Sequence, residues 1–164
     1  MPTTNMLLAR LGLGKRLDAD AREWAIEQLI DGRDSRNLRM LAGTTDADDS
    51  GVITDLFGRA LRELGIDLPD PNTAPLLYAQ ELAREYLAGG LPRGFLLREL
   101  CALCIAKNYT RPLYPFYLLR WTLDDLIDQG FSFHRRDVTM ENFNDVLNVE
   151  INALLSTSPK SAWA

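Results

Sequence analysis

Along most of this chain apolar residues recur at intervals of three and four and seldom alternate, which is the period of helices burying one face rather than of strands. The clearest stripe is Met140, Phe143, Leu147, Ile151 and Leu154, with Glu141, Asn144, Asp145 and Asn152 elsewhere on the same segment. Thr139 or Asp137 is expected to cap its start. Before it, Pro115 suits the first turn of a helix whose Phe116, Leu119, Leu123 and Leu126 form a stripe ending before Gly130. Its polar face carries Arg120, Asp124, Asp125 and Asp128.

Further helical segments run from Trp24 to Ile30, Leu38 to Leu41, Val52 to Leu64, Leu76 to Leu87 and Phe95 to Ala106, each bounded by Gly, Pro, Asp or Asn. Counting a short one near Met6 to Leu13, about seven helices result. The linkers "GRDS", "GIDLPDPNT", "GGLPRG" and "NYTRPLYP" are short, and none marks a domain boundary. The expected fold is all-α, a single helical domain over residues 1–164, either a plain bundle or helix pairs stacked in a HEAT-like manner.

The 164 residues suffice to bury a core, and 46% hydrophobic with 25% charged residues excludes a disordered or fibrous chain. No apolar run approaches the roughly 20 residues of a membrane-spanning helix, because Arg98, Lys107 and Arg120 interrupt the longest candidates. A net charge of -5 with scattered arginines, and only Lys15, Lys107 and Lys160 as lysines, disfavours nucleic acid and favours a basic protein partner. The first acid is Asp18, so a transit peptide is one reading of the N-terminal segment, while Arg10 cuts the apolar run a secretory signal needs. Cytoplasm is the expected compartment, and two cysteines agree with reducing conditions.

Three motifs resemble chemical sites. "DADDSGVITDLF", Asp46 to Phe57, begins like a calcium-binding loop, with Asp46, Asp48, Ser50 and Gly51 at its first, third, fifth and sixth places. The twelfth place demands a bidentate glutamate and holds Phe57, which belongs to the stripe of Val52, Ile53, Ala60, Leu61 and Leu64. Asp48, Asp49 or Ser50 is expected to cap the next helix, and Asp46, Asp48, Asp49 and Asp55 form one candidate acidic surface for a partner. "CALC", Cys101 to Cys104, has redox or half-zinc spacing but lies mid-helix among leucines. Buried structural thiols are expected there, and no metal or cofactor. His134, the sole histidine, has only Asp137 as a nearby orienting acid and is expected on a surface loop.

Asp124, Asp125 and Asp128 share a helix face, which reads as solvated, as a second acidic partner patch, or as paired carboxylates acting on a substrate. Trp121 with Tyr109, Tyr114 and Tyr117 makes an aromatic region whose first expectation is core filling; Trp121 is also a candidate partner anchor.

"REWAIEQLIDGRDSRNLRMLAG" followed by "LFGRALRELGI" resembles the opening of small helical bacterial proteins, some of them similar to immunity proteins of contact-dependent or polymorphic toxin systems. Its marks are Trp24, Leu29, Gly32, Leu38, Arg39, Leu41, Ala42, Gly43 and Leu61 to Gly65. The resemblance implies a cytoplasmic antidote that binds a toxin domain, with no catalytic residue. The rival from another class is an enzyme of unfamiliar helical type using His134 or the Asp124 to Asp128 face.

Overall fold

The computed structural model describes residues 2–158, which contain eight α-helices and no strand. In order these are α1 Thr4–Gly12, α2 Asp18–Ile30, α3 Arg36–Ala42, α4 Ser50–Glu63, α5 Ala74–Leu87, α6 Arg93–Ala106, α7 Tyr114–Gln129 and α8 Phe143–Ser156. The all-α expectation is met, with eight helices where periodicity suggested about seven. Lys160 lies outside the described residues. None of the described helices is long and apolar enough to cross a membrane.

Contacts divide the chain into two compact units, 1–78 and 79–164, with the division inside α5. No linker or change of composition accompanies it, because a continuous helix needs neither.

In the first unit α2, α3 and α4 pack on one another, and α1 packs on α2. Local chemistry sets the helix starts: Thr3 Oγ1 accepts from Met6 N (3.0 Å) and Ser35 Oγ from Leu38 N (3.2 Å). Gly32 and Gly65, just past α2 and α4, take φ of +83° and +69°, where a side chain is strained. The centre of the core is Trp24, whose ring meets Phe57 edge-to-face at 5.0 Å and whose Nε1 donates to Thr4 Oγ1 at 2.9 Å. Leu7, Leu38, Leu41 and Leu61 complete it, all fully buried. Satisfying the one polar atom of the indole lets its large apolar area be buried without an orphaned donor.

In the second unit α7 packs against both α6 and α8. Leu96, Leu97 and Leu100 of α6, Phe116 and Leu119 of α7, and Phe143, Leu147 and Ile151 of α8 are fully buried. Gln80, on the part of α5 in this unit, donates from Nε2 to the carbonyls of Leu154 (3.0 Å), which also accepts from Thr157 N, and Thr157 (2.9 Å), tying down the end of α8. The start of α8 differs from expectation. Thr139 N donates to Asn142 Oδ1 (2.8 Å) and Asn142 N to Thr139 Oγ1 (3.3 Å), so these two close a turn of their own and the helix begins at Phe143. Met140 therefore precedes the stripe and is 48% exposed.

Candidate interaction site

The acids before α4 are held within their own unit. Asp49 Oδ1 accepts from Gly51 N (2.7 Å) and is the cap of α4. Asp48 Oδ2 accepts from Thr45 N (2.6 Å) and Thr45 Oγ1 (3.0 Å), and these donors, the backbone one first, hold its carboxyl below the usual range. Asp46 pairs with Arg22 at 2.9 Å, and Asp55 with Arg59 one turn on, also at 2.9 Å. The twelfth place of the calcium-like loop is the fully buried Phe57, committed to the Trp24 ring. Among the described residues no three His, Cys, Asp or Glu side chains converge as a metal site would require. A shallow cavity beside this loop is lined by Arg16 and by Asp18, Asp46 and Asp48, so its charges are mixed.

Cys101 and Cys104 lie within α6, both buried. Burial raises both thiols, that of Cys104 to about 11, which keeps them protonated and poor as nucleophiles or ligands near neutral pH. Expected as structural thiols, they occupy positions suited to that role.

The outer face of α7 differs from its buried face in kind. Tyr114, Tyr117 and Trp121 follow one another at helical spacing, with Tyr114 and Trp121 43% and 41% exposed. Tyr114 stacks on Tyr117 at 5.8 Å, and Trp121 meets Tyr117 edge-on at 6.3 Å. Tyr109, 50% exposed, adds its ring edge-to-face at 5.2 Å from Tyr117. To present it, Asn108 and Tyr109 both take left-handed backbone (φ +54° and +58°), held by Tyr109 N donating to Cys104 O at 2.9 Å. Such a conformation is unusual for a residue as bulky as tyrosine. The expectation that these four aromatics fill a core is thus corrected: the core of α7 is made by Phe116, Leu119, Leu123 and Leu126, and the tyrosines and Trp121 stand outside it.

The same face continues into the acids. Asp124 pairs with Arg120, whose guanidinium also lies over the Trp121 ring, 5.8 Å from its centroid. Asp128, one turn further, is exposed and makes no hydrogen bond or ion pair within the described residues. Asp125 turns toward the following loop and accepts from Ser132 Oγ at 2.7 Å, with His134 Nε2 at 3.9 Å. His134 therefore meets an acid, but Asp125 rather than Asp137, which is engaged by Arg135 at 2.9 and 2.8 Å. Serine, histidine and aspartate come together here without the geometry of a nucleophile: the Ser132 hydroxyl is only 5% exposed and gives its proton to the carboxylate, not to the imidazole. The arrangement ties down a loop.

That loop carries two residues that sequence reading passed over. Phe131 and Phe133 flank buried Ser132, are 52% and 70% exposed, and meet edge-to-face at 5.2 Å. The signal was the alternation in "GFSF", apolar outward and polar inward, in a stretch examined only for its histidine.

These observations define a helical chain whose second unit displays an aromatic row ending in carboxylates. No protein-family model matches the chain, and no curated protein or solved structure is significantly similar to it.

Proposed function

We propose that the chain is a non-catalytic protein-binding module whose contact face is the outer side of α7, taking a basic protein partner. The observation that carries this reading is the exposed Tyr109, Tyr114 and Trp121, gathered around the half-buried Tyr117 and continuing into Asp124 and Asp128. Aromatic residues on a rigid helix supply large contact area at small entropic cost, and they dominate the centres of interfaces. Carboxylates at the end of the row speed encounter with a basic surface and disfavour an acidic one. Of the two acidic patches the α7 patch suits a partner better, because Asp128 has no partner among the described residues and adjoins the aromatic row, whereas Asp46, Asp48, Asp49 and Asp55, like Asp124 and Asp125 of α7, already serve donors of their own unit. The resemblance of the stretches Arg22 to Gly43 and Leu56 to Ile66 to toxin-system immunity proteins supplies the setting: a cytoplasmic antidote covering a basic toxin domain.

Calorimetry of the chain against the product of any toxin-like gene found adjacent to its own tests this, and absence of such a neighbour removes the antidote setting. The expected result is a complex from which Trp121→Ala removes ~2 kcal/mol or more of binding energy, as at an interface centre. Asp128→Lys should slow association, while His134→Ala leaves affinity unchanged. Absence of heat, or full activity of an associated reaction that His134→Ala abolishes, would replace the binding reading with the enzymatic one.

A further inference from the structure

We infer that the outer face of α7 closes on a second copy of the chain, the two helices lying antiparallel across a two-fold axis that passes between Tyr117 and Trp121. The inference goes beyond the reading above, since it concerns what covers this face while no other partner does.

The charges that bear on the face are distributed by sign. Tyr114, Tyr117, Trp121, Asp124 and Asp128 follow one another at intervals of three and four, so they lie along one side of the helix. At the head of the row Tyr109 is laid against Tyr117 by a backbone that holds both Asn108 and Tyr109 left-handed (φ +54° and +58°). Strain of this kind gathers at contact sites. It also brings Lys107 and Arg111, which flank Tyr109 in the chain, to the same end, and neither cation has an ion-pair partner among the described residues. At the tail the exposed Asp128 lacks one too. Between them Arg120 and Asp124 pair with each other and cancel. The row thus has an unpaired positive head, an aromatic centre and an unpaired negative tail.

Turned end for end about an axis between Tyr117 and Trp121, such a row meets its own complement. Trp121 of each copy comes onto Tyr117 of the other, the Tyr114 hydroxyl comes opposite the Asp124 carboxylate, and Lys107 and Arg111 come opposite Asp128. A contact of this symmetry closes at two copies. A partner carrying one sign of charge along its whole contact satisfies only one end of the row, whereas a second copy satisfies both. The net charge of -5 opposes the approach of two copies, but at physiological salt charges are screened beyond about 8 Å, so the contacts at the face decide. Size sets the strength. From Tyr114 to Asp128 the row is roughly 21 Å long and about 10 Å wide, which buries less than a standard interface and gives a transient dimer with a Kd on the order of 0.1 mM.

The test is sedimentation of the full chain at physiological salt, over a decade of concentration on either side of that value. Expected is a reversible dimer that Trp121→Ala weakens at least ~10-fold at unchanged urea midpoint. Asp128→Arg alone, and Lys107→Glu with Arg111→Glu in one chain, should each weaken it as far, because head and tail then carry one sign. Mixing those two charge variants should restore the dimer, since every head again faces a tail of opposite sign, and recovery shows that both variants are folded. A chain that stays monomeric throughout, a dimer indifferent to Trp121→Ala or to the charge reversals, or a mixture that stays monomeric would each overturn the inference. Binding of a toxin-like domain by a chain that stays monomeric would remove the second copy and leave the binding-module reading standing; a dimer with the expected charge dependence and no such binding would do the reverse.

Discussion

In the loop before α4 the acids Asp48 and Asp49 hold donors from their own turn and Asp46 pairs with Arg22 of α2, whereas along α7 Asp128 projects from the end of an aromatic row. The two tryptophans among the described residues follow the same division. Trp24 is 2% exposed with its Nε1 satisfied inside the core, and Trp121 is 41% exposed, with the Arg120 guanidinium over its ring and Tyr117 edge-on to it. Like residue types therefore serve folding at Trp24, Asp48 and Asp49 and display at Trp121 and Asp128. The difference separates a side chain whose partners are all internal from one whose surface is left over after the fold is complete, and only the second is available to another molecule.

The sharpest way to break this contrast is to truncate each tryptophan. Trp24→Ala opens a cavity facing Phe57 and orphans Thr4 Oγ1, and it should cost about 3–5 kcal/mol, read as a fall in the urea midpoint. Trp121→Ala should stay within about 0.5 kcal/mol, as surface changes do. A comparable loss from both would mean that Trp121 is a structural residue and that the aromatic row belongs to the core after all.

The helices were legible because their buried stripes obey the period of 3.6 and because Asp49, Pro115 and Gly130 mark ends by local capping chemistry, to which the structure adds Thr3 and Ser35. The dismissal of a calcium loop was equally local, since one position, Phe57, decides it. What escaped was which side of a helix an aromatic faces when both sides are apolar. Tyr114, Tyr117 and Trp121 lie among Phe116, Leu119 and Leu123, and a tyrosine is as much at home half-buried as in a core. The left-handed turn that delivers Tyr109, and the bond from Ser132 to Asp125 that turns Phe131 and Phe133 outward, are tertiary facts with no period to announce them. Nor was the approach of His134 to Asp125 legible, because eight residues and a helix end separate them.

A smaller effect sharpens the contrast between the acids. Asp49→Ala removes the acceptor for Gly51 N at the head of α4 and should cost about 1 kcal/mol, with Asp49→Asn or Asp49→Ser recovering most of it. Asp128→Ala, at an exposed position near the end of α7, should change stability by less than about 0.5 kcal/mol, and in the favourable direction if anything, because a negative charge there opposes the helix dipole. Thermal melts of the two variants side by side check this; a destabilising Asp128→Ala would show that its carboxylate is engaged by the fold.

The smallest expected effect lies in acid. Asp48 in the first unit and Asp137 in the second both have carboxyls held below the ordinary value of 3.8, Asp48 mainly by the neutral donors of Thr45 and Asp137 mainly by hydrogen bonding to Arg135. A carboxylate whose folded pKa is depressed contributes stability that is fully present above the unfolded value and disappears as pH falls through the folded one. Both contributions should therefore hold at neutral pH and fade below 3.8, so Asp48→Asn and Asp137→Asn should each flatten the acid limb of a plot of urea midpoint against pH. Salt distinguishes them. Screening weakens an exposed charge pair such as Arg135 with Asp137, whereas Thr45 carries no charge to screen. Added chloride should shrink the difference between Asp137→Asn and the parent chain and leave that of Asp48→Asn in place. Equal shrinkage of the two would mean that Asp48 owes its low pKa to Arg22, the charged neighbour next in reach, and that the loop before α4 is organised by long-range charge rather than by its own turn.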